Sequence, residues 1–471
     1  MNPPEPTVEW EEARKVPTRS KVKAGKNIFK GTQSVDSLQL SGVSILRLSV
    51  SPEKGKAPPR SFAVTWQEQG AGPSDQDSAD EVEWPSDFDE VDELGREERR
   101  KTEQQNADYA AEFENLIEEK GWQPAADAKL PLSFRFAQTK ESRWELFFDL
   151  PEGAQCLGLG ERHSGLNLRG RSHVLFNCDD STHVPSINAM YKSVPFLLVS
   201  INGECYGIFL DSPAFQRWNL DDDLSGEASI ELLSRRGWQL YLIGPSSLSA
   251  VLAAYTGLTG RHKLPPIWAL GHHQSRWSYP DQETAIRIAY EFRSREIPCD
   301  SIVLDIDYMD EYRVFTYSKE RFADFASLIA DLERNNFKVI TIVDPGVKKE
   351  SKYFIFADGE KHDYFCKKAD GKLFTGKVWP GQAAMPDFLR EDVRKWWAAQ
   401  HGFHTENGVA GIWNDMNEPA LFENPKPISE SANELPAASE QLFMQQTAEG
   451  TVGHFEVRNV YGQQMSRATY Q

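Results

Sequence analysis

Nowhere in its 471 residues does the chain hold the roughly 18 consecutive apolar residues that a membrane-spanning helix needs, so no membrane segment is expected. The opening run, MNPPEPTVEWEEARKV, has no apolar core and does not read as a secretory signal. Cysteine is sparse. Cys156, Cys178, Cys205, Cys299 and Cys366 are scattered, odd in number and without metal-ligand spacing. They read as reduced, mostly buried thiols in a cytoplasmic setting. Basic charge is also short: 52 Lys and Arg face 71 Asp and Glu, a net charge of −19. Repulsion from phosphates at that charge argues against a nucleic-acid partner and suits an uncharged ligand such as a sugar.

What is present fits a large folded protein. The chain is 39% hydrophobic and 26% charged, ordinary for a soluble globular protein, and too long for one core. Its 13 Trp and 26 Phe suit either sugar stacking or an extensive core. Residues 1–20 read as a loose lead-in. Alternating runs at 44–50 and 61–66 read as strands. An acidic stretch near 70–105 reads as a disordered insertion, and Tyr109, Phe113 and Ile117 mark one face of a short helix at 107–120. Strands resume at 132–136, 144–150, 196–200, 206–210 and 239–243. This grammar predicts a β-sandwich over residues 1–262. A helix follows at 246–256, and Pro265-Pro266 marks a boundary.

From 263 to 471 the pattern becomes strand, helix, strand, helix. Strands are expected at 267–272, 301–304, 338–343 and 409–413, with helices at 281–295, 322–335 and 389–401. Such alternation predicts parallel strands with crossover helices. The class is therefore multidomain, α/β plus β. Four such strands are read between Pro265 and the end of the chain.

The richest run is Gly411-Ile412-Trp413-Asn414-Asp415-Met416-Asn417-Glu418-Pro419. An apolar strand here delivers a carboxylate to its C-terminal end, flanked by an indole and a thioether, an arrangement that could meet a sugar ring with an apolar face and a polar edge. Four further runs accompany it. They are Gly158-Leu159-Gly160-Glu161, Phe176-Asn177-Cys178-Asp179 with Met190-Tyr191-Lys192, Trp268 to Tyr279, and Asp305-Ile306-Asp307-Tyr308-Met309-Asp310. Together with Ile342-Val343-Asp344-Pro345-Gly346 and Lys377-Val378-Trp379-Pro380-Gly381, they resemble glycoside hydrolase family 31, the α-glucosidase family.

The resemblance implies an N-terminal β-sandwich ahead of a (β/α)8 TIM barrel, incomplete here, and a retaining α-glucosidase acting on terminal non-reducing α-linked glucose. It implies that Asp415 is the nucleophile. Glu418, beside it, is expected to orient the site or tune its charge. Asp179 and Asp305 match residues that bond to sugar hydroxyls. Ile306, Ile342, Trp379, Trp413 and Met416 match the pocket walls. A retaining mechanism needs a second carboxyl about 5–5.5 Å from the nucleophile. The residue filling that role in the family lies beyond the nucleophile, and none here matches it, so the general acid/base is expected past the chain end and the chain alone is expected to be inactive. Asp307, Asp310 and Arg313 read as salt bridges and caps. His272 and His273 have no accompanying ligand cluster, and neither a metal nor a cofactor is implied. Other specificities of the family stay open, namely α-xylosidase, sulfoquinovosidase and α-transglucosidase, as does a non-catalytic carbohydrate-binding chain.

Overall fold

The computed structural model describes residues 31–40, 43–52, 123–124, 134–140, 143–179, 183–184, 187, 189–261, 263–422, 443–447 and 450–471. The expected lead-in at 1–20, the strand at 61–66, the acidic insertion near 70–105 and the helix at 107–120 lie outside the described residues.

Period-two alternation builds the first half. In the segment Arg143–Asp149, Trp144, Leu146 and Phe148 are buried while their neighbours are not, so one face is apolar. Strands β1 (Gly31–Leu40), β2 (Val43–Pro52), β3 (Gln123–Pro124), β6 (Gln155–Gly160), β8 (Ser193–Ile201), β9 (Glu204–Asp211) and β12 (Trp238–Ser246) form one sheet, in the order β3-β1-β2-β12-β9-β8-β6. A second sheet has the order β4 (Phe134–Lys140), β5 (Arg143–Asp149), β11 (Glu227–Leu233), β10 (Phe215–Leu220), β7 (Arg171–Leu175). Both are antiparallel. They share one core, to which the smaller sheet gives Trp144, Phe148, Trp218 and Ile230, and the larger gives Val50, Val199, Leu210 and Trp238. The Trp144 and Trp238 rings meet edge to face at 5.8 Å. The other face of the large sheet is covered by helix α1 (Leu248–Thr259), which starts where Ser247 accepts the Ala250 N–H and stacks Tyr255 on Phe196 at 3.8 Å.

The second half carries a parallel sheet. Its strands are β13 (His273–Gln274), β14 (Ser301–Leu304), β15 (Lys338–Val343) and β20 (Gly411–Asn414), in that spatial order. Helix α2 (Gln282–Ser294) connects β13 to β14, and α3 (Phe325–Arg334) connects β14 to β15. Both begin at an aspartate that caps the first turn: Asp281 accepts the Thr284 N–H at 2.8 Å, and Asp324 accepts the Ser327 N–H at 3.0 Å. Between β15 and β20 lie β16 (Val347–Lys348), α4 (Phe354–Lys361), β17 (Lys367–Lys368), a hairpin of β18 (Thr375–Val378) and β19 (Gly381–Ala384), α5 (Glu391–Gln400) and α6 (Gly402–Glu406). After β20 come a second hairpin, β21 (Phe443–Thr447) with β22 (Gly450–Gly453), and helix α7 (Tyr461–Tyr470).

The strand expected at 267–272 is not one. Residues Ile267–Leu270 form a 3₁₀ turn that opens at Pro266, and only His273–Gln274 pair with β14. The Ala269 N–H bonds back to the Pro266 carbonyl at 2.9 Å, and Ile267 is 83% exposed. A short apolar run has no period that separates turn from strand, and the preceding proline favours the turn. All five cysteines are buried free thiols.

Candidate active site

Three neighbouring parallel strands each end in an aspartate. Asp305 follows β14, Asp344 follows β15 and Asp415 follows β20. The strands themselves are apolar, with Ile302, Leu304 and Val343 buried, so the first polar residue emerges where each strand leaves the core. Register pairs Val343 with Asn414, and the Asp415 N–H reaches the Val343 carbonyl at 3.3 Å. Asp344 and Asp415 therefore leave the sheet side by side. This is the edge at which open and closed parallel sheets bind ligands.

Each carboxyl is perturbed by its surroundings. Asp415 accepts the Met416 N–H at 2.9 Å. Burial raises its pKa above the ordinary value, the Met416 bond lowers it, and the Asp179 charge adds to the rise. Asp305 accepts the Ile306 N–H at 2.7 Å and is raised by burial, then by the charges of Asp415 and Asp307. Asp344 is pushed up to about 8 by burial, reinforced by Asp415, Asp305 and Glu418. Glu418 is pushed up to about 7, again mainly by burial, with Arg458 pulling down and Asp179 and Asp415 pushing up. Because such influence fades with distance, Asp179, Asp305, Asp344, Asp415 and Glu418 form one cluster. Asp344 Oδ1 and Glu418 Oε2 are buried without a hydrogen-bond partner among the described residues. Met416 holds a left-handed φ of 57°, a costly conformation for a side chain of its size.

Asp179 reaches this cluster from the antiparallel half. It is exposed, sits just after β7 and hydrogen-bonds the Tyr191 hydroxyl, whose pKa burial and Asp179 both raise. His183 Nε2 lies 2.9 Å from the same hydroxyl. Trp379 stands half-buried at the turn between β18 and β19. Its ring lies 4.9 Å from Phe422, 5.2 Å from Trp277 and 6.5 Å from Tyr312. Trp277 is 64% exposed, so this aromatic group has an open face. Ile306 and Ile342 are buried in the core of the parallel half, and Trp413 packs against it, part-exposed. Arg313 pairs with Asp310 at 2.5 Å and with Glu350 at 3.2 Å, while Asp307 lies 3.9 Å from Arg321.

Sequence reasoning gave Asp344, Tyr191 and Trp277 no role, although each stands inside a run it singled out. For Asp344 the signal was available: like Asp305 and Asp415, it is the aspartate that closes an apolar strand. Arg458 and Asn459, which tie the Asp179 loop to the parallel half, were missed altogether.

Carboxyls gathered at the ends of parallel strands, with the exposed indole of Trp277 and the half-buried one of Trp379 in the same half of the chain, are the kind of site that glycoside hydrolases use. Two family models match the chain: "Glycosyl hydrolases family 31 TIM-barrel domain" over residues 262–471, and "Glycosyl hydrolase 31 N-terminal galactose mutarotase-like domain" over residues 37–218. The chain belongs to glycoside hydrolase family 31. Alpha-glucosidase 2 of Bacillus thermoamyloliquefaciens is 39% identical over 324 residues, 68% of this chain and 39% of the relative. The alpha-glucosidase of Saccharolobus solfataricus is 32% identical over 335 residues, 69% of this chain and 48% of the relative. The chain thus spans less than half the length of these curated relatives. Among solved structures, a family 31 dextranase of Flavobacterium johnsoniae complexed with isomaltotriose superposes with a TM-score of 0.68 at 22% identity, over 94% of this chain and 52% of that one. That likeness is one of fold.

Proposed function

We propose that this chain carries the nucleophile half of a retaining α-glucosidase site, in which Asp415 attacks the anomeric carbon of a terminal α-linked glucose. Its parallel strands then belong to a (β/α)8 barrel. The observation that carries the reading is the convergence of Asp305, Asp344, Asp415 and Glu418 with Asp179, which arrives from the other half of the chain. The names of the relatives support glucose as the sugar.

In this reading Asp415 must be ionised. The Met416 N–H stabilises the anion directly. Burial pushes Asp344 up to about 8 and Glu418 up to about 7, which lessens the negative charge that would otherwise oppose it near neutrality. Asp179 and Asp305 accept hydrogen bonds from sugar hydroxyls, and Trp379, Trp413 and Met416 face the ring. The Asp415 oxygen forms a bond to the anomeric carbon as the bond to the leaving oxygen breaks, and water later releases the sugar and restores the carboxylate. The proton for the leaving oxygen is assigned to none of the five clustered carboxyls.

A reagent that needs no such proton isolates this step. Fluoride departs unassisted, so an α-glucosyl fluoride carrying a second fluorine on the ring is expected to label the 471-residue chain once. Peptide mapping is expected to locate the adduct on Asp415, and Asp415→Asn to abolish it. An adduct elsewhere, or none, overturns the assignment and favours a carbohydrate-binding chain.

A further inference from the structure

The loop that carries Asp179 belongs to the antiparallel half, yet its backbone is held by the parallel half. Asn459 Oδ1 accepts the Asn177 N–H at 2.9 Å. Asn459 Nδ2 donates to the carbonyls of Leu175 at 3.0 Å and Ala214 at 3.2 Å. Next to it, Arg458 donates from Nε to the Asn177 carbonyl at 2.6 Å. Its guanidinium lies 4.9 Å over the Phe176 ring, and Nη2 donates to the Pro419 carbonyl at 3.3 Å. Arg458 is 3% exposed, so these bonds are sheltered from water.

The same segment braces the other side of the site. In α7, Thr469 Oγ1 donates to Asn414 Oδ1 at 3.0 Å, immediately before Asp415. Gly462 packs so closely on Asn417 that an added Cβ would stand 3.0 Å from the Asn417 carbonyl oxygen. Residues 458–469 thus touch the backbone two residues before Asp179, the residue before Asp415 and the residues on both sides of Glu418.

We propose that Arg458 and Asn459 are positioning residues, a clamp that sets Asp179 against Asp415 and Glu418 and so determines the geometry in which the sugar is held. The clamp acts through Asp179, and it rests on the reading that Asp179 binds sugar. A buried guanidinium and a carboxamide that satisfy both edges of one loop are suited to this, because neither side chain can shift without leaving a backbone group unpaired.

Binding of deoxynojirimycin to the 471-residue chain, followed by calorimetry, tests the clamp. Asp179→Ala is expected to weaken binding by about ten-fold or more, and Asn459→Asp and Arg458→Met by about as much, with Arg458→Lys recovering part of the loss. In an Asp179→Ala background the Asn459 and Arg458 substitutions are expected to have no further effect on binding, whereas a general loosening would add to it. If Asp179→Ala leaves binding unchanged, the sugar-binding role of Asp179 fails. If it weakens binding but the folded Arg458 and Asn459 variants do not, the clamp fails and the site assignment survives. Should none of these variants fold, the pair serves the fold and not the site, and the proposal is overturned.

Discussion

A carboxyl placed where a strand leaves the core is paid for in stability, and Asp344 shows the sign of that term. An aspartate in an unfolded chain titrates near 4, whereas burial and three neighbouring carboxyls push folded Asp344 up to about 8. Below pH 4 both states carry the proton and no penalty arises. As pH rises from 4 toward 8 the unfolded chain releases its proton while the folded chain keeps it, so stability falls through that window. Asp344→Asn mimics the protonated form at every pH. Its stability relative to the parent is expected to rise between pH 4 and pH 8 by about 2–4 kcal/mol in urea denaturation. A difference that stays constant over that range would mean that Asp344 does not titrate there. The residue scale is also where the sequence was most and least informative. Asp179, Asp305, Asp415 and Glu418, which the structure brings together, could be singled out because each stands in a distinctive local run. Arg458 and Asn459 were not, because their partners at Leu175 and Asn177 lie more than 280 residues away, and no local pattern encodes that contact.

At the level of elements, the period of the apolar residues was enough for much of the parallel half. The edges of Ser301–Leu304 and Lys338–Val343 fall where apolar β-branched runs meet a polar residue. The short hairpin β18–β19 escaped notice because four residues do not establish an alternation, and the turn at Ile267–Leu270 was misread for the same reason. The glycines of β6 allow a close backbone path. Gly160 has a φ of +84°, and a Cβ there would stand 2.5 Å from the Lys192 carbonyl oxygen and 2.8 Å from the Val194 nitrogen. Both obstacles are backbone of β8 or the residue just ahead of it, and the pairing of β6 with β8 shifts register at this point. Gly160→Ala is expected to cost about 2–4 kcal/mol in urea denaturation, combining left-handed strain with overpacking. Gly153 provides the control: its φ is +78° and nothing lies within 4 Å of an added Cβ. Gly153→Ala is expected to cost only about 1–2 kcal/mol, the strain alone. Equal losses at the two positions would remove close approach as the reason for Gly160.

On the scale of the whole molecule, the cluster lies where the two halves are joined. Glu456, buried, accepts the Arg235 N–H at 2.9 Å, and Arg236 donates to Thr447 Oγ1 at 3.1 Å. Phe455 packs on a small core containing Val174, Phe215 and Leu233. In the proposed reading, a sugar held by Asp179 from one half and by Asp305 and Asp415 from the other would add a further link across this seam. Ligand binding stabilises whatever it holds together, by about 2.7 kcal/mol at a hundredfold excess over Kd. With deoxynojirimycin at that excess, native-state hydrogen exchange is expected to slow in β7 and β10 as well as in β14, β15 and β20. In Asp179→Ala, given ligand at the same multiple of its own weaker Kd, the slowing is expected to be confined to the parallel strands, because the ligand then grips only one side. Protection limited to β14, β15 and β20 in the parent chain would mean that the antiparallel half supplies no contact to the sugar, and that Asp179 owes its position to packing alone.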